Sequence, residues 1–260
     1  MTGSEGVSRD AFLGGRLTIL QPVAGYRAAI DPVLLAAFTP ARPGERVLEL
    51  GCGVGVAVLC LGARVEGLEL HGIEIQTDYA DLARRNAAAN GLALAVHEGD
   101  IRRMPAALLG VGFDQVLLNP PFHPAGAATP SSDPGRDRAH REEADLGDWI
   151  VAATRRLLPG GWLTMIHRAD RLADMLAALR GTTGQITVLP VAPRAGRPAA
   201  RVLIRARKGS AGPLTLAAPL VLHAGSAHAG DSGRYAPVVE GILREGADLR
   251  LESVTNLSAE

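Results

Sequence analysis

The chain has 260 residues, 47% hydrophobic and 21% charged, and its 27 basic and 27 acidic side chains cancel. That length and composition imply a globular core in one domain or a domain with a small appendage, and the neutral balance excludes a global field, so any contact with nucleic acid must come from a local patch. Cys52 and Cys60 are too few and too local for a disulfide framework or a zinc site, and Met1 to Gly6 carry no signal pattern, so a reduced cytoplasm is expected.

Gly14-Gly15 and Gly25 predict turns and a short hairpin. Asp31 and Pro32 then read as the cap and first position of a helix running to Phe38, with Tyr26 as a core aromatic. Residues 46–50 form a buried strand and 54–63 a helix behind it. The loop Glu49-Leu50-Gly51-Cys52-Gly53-Val54-Gly55 joins them, and its glycines let a ligand approach bare backbone. A dinucleotide fingerprint needs Gly or Ala at the sixth position counted from Gly51. Val56 stands there, which disfavours pyrophosphate. Glu49 contacts a ligand's ammonium group or caps nearby amides. A strand over 68–75 carries Glu74 near its end, 23 residues after Gly51, where a carboxylate accepts the ribose hydroxyls of an adenosine cofactor. A helix over 78–90 ends at Asn90-Gly91, and a strand over 93–97 follows. Beyond it, Asp100 is a turn residue or an acceptor for an adenine amine.

The apolar run 113–118 reads as a buried strand ending on Asn119-Pro120-Pro121-Phe122. Two prolines cannot donate backbone hydrogen bonds, so the chain turns stiffly at the carboxyl end of a strand, the edge of an open α/β sheet where ligands bind. A conjugated amine is a poor nucleophile because its lone pair is delocalised. If the Asn119 side-chain oxygen and the Pro120 carbonyl accept its protons, the nitrogen becomes more electron-rich, while Phe122 stacks on the planar group and aligns it with an electrophile.

Residues 123–145 are a polar loop with Arg136, Arg138, His140 and Arg141, read as a cover for the acceptor or a solvated loop. A helix over 145–158, a turn at 159–161, a strand over 162–167 and a helix over 171–180 lead to closing strands over 185–190 and 201–207. Arg194, Arg197, Arg201 and Lys208, the only lysine, form with Arg205 and Arg207 the best basic patch. Lacking interleaved aromatics, it is expected to grip backbone phosphates rather than bases. The seven histidines show no metal-ligand spacing, so no metal is expected. In the tail, Leu220 to His223 is followed by a helix near 238–244.

With these motifs the chain resembles the class I S-adenosylmethionine-dependent methyltransferases. More narrowly, it resembles the bacterial family that methylates N6 of the adenine beside the anticodon of a valine tRNA. The resemblance spans Phe12 to Tyr235. It rests on Gly14-Gly15-Arg16-Leu17, Gln21-Pro22, Gly25-Tyr26-Arg27, Asp31, the Glu49–Gly55 loop, Gly72-Ile73-Glu74, Gly99-Asp100 and Asn119-Pro120-Pro121-Phe122. It implies a doubly wound, Rossmann-like, mostly parallel seven-stranded sheet with helices on both faces. The implied division is a cap segment over 1–40, a catalytic domain over 41–208 and a C-terminal extension over 209–260. It further implies S-adenosylmethionine held by Glu49, Gly51, Cys52, Gly53, Glu74, Asp100 and Asn119, an acceptor amine held by Asn119, Pro120, Pro121 and Phe122, and tRNA as partner. The family usually has Tyr where Phe122 stands, and Phe-His after the prolines also occurs in ribosomal guanine-N2 methyltransferases. Guanine N2 of rRNA and a protein glutamine amide are therefore alternative acceptors, and a non-catalytic binding module is the remaining alternative. A dehydrogenase is disfavoured by Val56.

Overall fold

Short apolar runs bounded by glycine, proline or charge make strands, and longer runs with one apolar stripe make the helices between them. The computed structural model describes residues 6–122, 145–224 and 234–252. The elements are β1 (Val7–Phe12), β2 (Leu17–Pro22), α1 (Asp31–Phe38), β3 (Arg46–Leu50), α2 (Val56–Arg64), β4 (Glu69–Glu74), α3 (Thr77–Ala89) and β5 (Leu94–Glu98). After them come β6 (Phe113–Leu118), α4 (Leu146–Arg156), β7 (Leu157–Arg168), α5 (Leu172–Leu179), β8 (Thr183–Ala192), β9 (Arg201–Lys208), β10 (Thr215–Leu216), β11 (Leu220–Val221) and α6 (Pro237–Glu245).

The main sheet runs β5-β4-β3-β6-β7-β9-β8, with β10 and β11 both added to β8. Its neighbours are parallel except at β9, which lies antiparallel between β7 and β8. This is the doubly wound, mostly parallel arrangement that the resemblance implies. The strand number needs correcting: nine strands among the described residues share the sheet, and β1–β2 form a separate antiparallel hairpin. The two additions are two residues long, too short to carry any periodic signal. Helix α4 also stops earlier than expected, at Arg156, and β7 runs through the Pro159–Gly161 segment.

Two apolar cores lie on opposite faces of the sheet. One gathers α1, α2, the hairpin and α6, with Leu34, Leu59, Leu61 and Ile19 fully buried. The other gathers α4 and α5 around Leu48, Leu50, Val116 and Ile150. Asn86 of α3 and Asn90, the C-cap one turn beyond it, extend the hairpin's pairing. Asn86 accepts from Leu20 N–H and donates to Leu20 C=O, and Asn90 does the same with Thr18. Arg16 donates to the Ala63 and Glu245 carbonyls, tying the last turns of α2 and α6 to the hairpin. No described helix is long and apolar enough to cross a membrane.

Candidate active site

Among the described residues, Glu49, the glycine loop, Glu74, Asp100 and the Asn119–Phe122 corner collect at the carboxyl edge of the parallel strands, because each ends or follows a strand there. Glu49 sits in β3 at 3% exposure, and its Oε2 accepts the Val58 N–H at 2.9 Å. Burial pushes its carboxyl up to about 8, partly countered by the Val58 hydrogen bond and reinforced by Glu74. Glu74, also buried, accepts Gly53 N–H at 2.8 Å and Gln76 N–H at 2.9 Å, and burial raises its carboxyl as well. The glycine loop is therefore shaped from below by the same carboxylate that borders it.

Gly51 has φ +62°, and a Cβ there would overlap the Trp149 indole of α4, whereas a Cβ on Gly53 would project into open space. The Cys52 thiol turns away, packing over Gly72, and burial raises it well above its ordinary range, so the loop contributes backbone rather than a nucleophile. Tyr26, Glu49, Gly51, Gly53, Val54 and Asn119 line a small cavity of about 30 Å³. Outside it, Ile75 beside Glu74 is 64% exposed. This bare-backbone wall, two buried carboxylates and an exposed apolar side chain fit an S-adenosylmethionine, which carries a cationic ammonium and sulfonium, a ribose and a planar adenine.

Asp100 stands differently. It caps the short turn Ile101–Arg103, accepting the Arg102 N–H, and both its oxygens face the Arg102 guanidinium, which holds its carboxyl below the usual range. Of the two roles open to it, the geometry is that of a turn residue.

At the end of β6, Asn119 donates through Nδ2 to the Tyr26 hydroxyl at 3.3 Å, and among the described residues its Oδ1 accepts no hydrogen bond. Tyr26 is not core: it is 59% exposed. Its loop is braced by Tyr79, whose hydroxyl donates to the Tyr26 carbonyl, by Gln21 on Ala28, and by Arg27 on Asp10 and Ser8. Burial of its hydroxyl end, with Asp31 and Glu49 nearby, pushes the phenol up to about 12, so it stays protonated. Phe122 meets the His167 ring edge-on at 5.2 Å. His167 Nε2 lies 3.4 Å from the Pro121 carbonyl, and because a carbonyl only accepts, that nitrogen carries the proton. Burial lowers the imidazole below its ordinary range, against the Pro121 hydrogen bond, which raises it.

Asp31 is the clearest correction on this edge. It is the first residue of α1 but makes no cap hydrogen bond; its carboxylate accepts Arg201 Nε at 3.0 Å. Pro32 has no N–H to offer, so a cap has less to satisfy there. The guanidinium of Arg201 lies 4.5 Å over the Phe122 ring. A second, open groove of about 450 Å³ adjoins it, lined by Phe122, Arg168, Asp170, Ala200 and Arg201. Asn119 thus borders one cavity and Phe122 the other.

The basic run does not form one patch. Arg194 and exposed Arg197 sit on the β8–β9 turn at the ligand edge, and Arg201 opens β9 beside them. Lys208 ends the same strand, roughly 23 Å away at about 3.3 Å per residue, where its amine donates to the Leu157 carbonyl. Arg205 and Arg207 stack on Trp162, and Arg205 also on Phe38. A strand read only as a run of arginines conceals that its two ends lie on opposite edges. Arg136, Arg138, His140 and Arg141 lie outside the described residues. Sequence pattern does not mark Tyr26, Trp149 and His167 as site-bordering residues. Tyr26 and Trp149 carry only aromatic character, which does not distinguish a cavity wall from core.

A family model described as the methyltransferase small domain matches residues 30–190. The chain is 32% identical over 174 residues to the tRNA1(Val) (adenine(37)-N6)-methyltransferase of Porphyromonas gingivalis, covering 64% of this chain and 68% of that protein. It is 30% identical to the protein of the same name from Aeromonas hydrophila, covering 70% and 77%. Among solved structures, a predicted O-methyltransferase from Agrobacterium tumefaciens superposes with a TM-score of 0.68 at 28% identity, covering 84% of this chain and 98% of that one.

Proposed function

The chain belongs to the methyltransferase small-domain family and is an S-adenosylmethionine-dependent N-methyltransferase; from that premise we propose that its acceptor is the N6 amine of an adenine in a tRNA anticodon loop. The observation that carries this reading is the Asn119–Phe122 corner standing between the glycine-loop cavity and an arginine-bordered groove on one sheet edge. The relatives named for adenine-37 of a valine tRNA support this acceptor. An anticodon loop suits such a corner, because its bases are already unpaired and extrusion is inexpensive. The working compartment is then the cytoplasm, where tRNA is found.

In this reading Glu49 faces the donor's ammonium group, Glu74 takes the ribose hydroxyls, Ile75 lies against adenine, and Gly51, Cys52 and Gly53 offer backbone. The donor supplies the electrophilic methyl group. Asn119 Oδ1 and the Pro120 carbonyl accept from the acceptor amine, and Phe122 stacks on its ring. No side chain is required to remove a proton before transfer, since the amine would shed it to solvent once the methyl has passed from sulfur to nitrogen, and this separates an amine from a hydroxyl acceptor. The nearby acids suit that division: Asp31 is paired with Arg201 and Glu49 is occupied by Val58. Arg194 and Arg197, at the rim, meet phosphates, and Lys208 drops out of the interface.

The test is mass spectrometry of nucleosides from separately purified tRNA and rRNA, with and without the gene. The expected result is loss of N6-methyladenosine from valine tRNA, restored by the wild-type gene. Undiminished N6-methyladenosine with loss of N2-methylguanosine from rRNA would transfer the proposal to the ribosomal acceptor.

A proton-linkage prediction follows from Glu49. Its carboxyl titrates near 8 in the free protein, so near neutral pH it holds a proton. A cationic donor beside it favours the carboxylate, so binding expels that proton. Donor affinity therefore rises with pH until about 8 and then levels. Calorimetry in two buffers of different ionisation enthalpy should find proton release at neutral pH that Glu49→Gln abolishes. Equal release in wild type and variant would remove Glu49 from the donor site.

A further inference from the structure

We propose that Arg201 is the second wall of the acceptor-base slot: the target base enters between the Phe122 ring and the Arg201 guanidinium, which close on one another in the free protein. This rests on the adenine reading above.

A guanidinium binds phosphate through its N–H edge and binds an aromatic through its face. Arg201 gives its Nε to Asp31 at 3.0 Å and its Nη1 to the Ala200 carbonyl at 3.3 Å, and lays its face 4.5 Å over Phe122. That is the geometry of a stacking partner, not of a phosphate contact. The surroundings of Phe122 divide unequally. His167, at 2% exposure, is packed into the interior against the ring, whereas the Arg201 side chain is one-third exposed. The groove of about 450 Å³ beside both residues gives the guanidinium somewhere to go and the base a way in. Unpaired bases are held in RNA–protein complexes between aromatic rings and guanidinium planes. The base simply replaces one stacked pair with two. Asp31 keeps the plane oriented while it moves, which assigns a job to an acidic residue that caps nothing.

Steady-state methylation of a valine-tRNA anticodon arm by wild type, Arg201→Lys and Arg201→Ala decides the matter, with S-adenosylhomocysteine affinity as the check on folding. Lysine keeps the charge and loses the plane. Both variants should therefore lose roughly ten- to hundredfold in kcat/KM for RNA while holding S-adenosylhomocysteine normally, and the salt dependence should keep the wild-type slope. Asp31→Asn, which leaves the arginine in place, should lower kcat/KM several-fold. Near-wild-type activity in Arg201→Lys, with a salt slope reduced by about one in Arg201→Ala, would make Arg201 a phosphate contact and overturn the slot. Failure of wild type to methylate the RNA at all would overturn the adenine reading and the slot with it.

Discussion

Asn119→Ala should reduce kcat by roughly 10²- to 10³-fold, the loss typical of removing one preorganised polar group that acts on charge developing in a transition state. The amine becomes more tetrahedral and more acidic as the methyl group arrives. An acceptor fixed at that point is worth more in the transition state than in the bound substrate. Asn119 meets the requirement because its amide is held by one end. Nδ2 donates to the Tyr26 hydroxyl, and the two prolines stiffen the backbone beyond it. Turning the amide to face Oδ1 therefore needs no reorganisation during the reaction. Asn119 also borders the glycine-loop cavity, where in the proposed reading it contributes to donor binding at most a neutral hydrogen bond, about 0.5–1.5 kcal/mol. Donor affinity should fall no more than about tenfold. Single-turnover rates at saturating donor, set against calorimetric donor affinity, separate the two effects. Asn119→Asp retains an acceptor and should keep more activity than the alanine variant. A parallel fall in rate and affinity would instead make Asn119 a donor-binding residue.

The strand-borne parts of this site are legible in the order of residues alone. The Glu49–Gly55 loop, Glu74 and the Asn119–Phe122 corner each follow a buried apolar run, and in a parallel sheet every such run ends on the same edge. Local pattern therefore suffices to bring them together. What local pattern misses depends on which strands neighbour one another. Asp31 meets Arg201 across 170 residues and Tyr26 meets Asn119 across 93. The first contact exists because β9 runs antiparallel between β7 and β8, carrying Arg201 up to the ligand edge and Lys208 down to the other. The period-two pattern of a strand is unchanged when its direction is reversed, so the sequence carries no sign of this. The same limit explains why Asp31 reads as a cap: a helix-start acid and an ion-pair acid are identical until the partner is known. Several motif residues that suggest the family, Arg16, Gln21 and Arg27 among them, turn out to brace the hairpin and the Tyr26 loop. They act on the site through backbone position rather than chemistry.

Gly51→Ala should destabilise the protein and weaken donor binding together, and the two causes can be separated. At φ +62° an L side chain costs about 1–2 kcal/mol, which depends on the backbone alone. The added methyl also overlaps the Trp149 indole, and overpacking of this kind costs about 1–3 kcal/mol. Together these imply roughly 2–5 kcal/mol, or a Tm lower by about 5–15 °C for a chain of this size. The indole is only half-buried, so it can swing away rather than force the sheet apart, and it would then stand nearer the cavity that Gly51 lines. Trp149→Ala in the same chain tests that account. Removing the indole relieves the overlap but not the dihedral strain, so the double variant should be more stable than the sum of the single losses predicts. Additive losses would mean that the indole does not oppose the methyl. Gly51 would then be required for its dihedral angles alone, and the glycine loop would owe nothing to the helix that follows the acceptor corner.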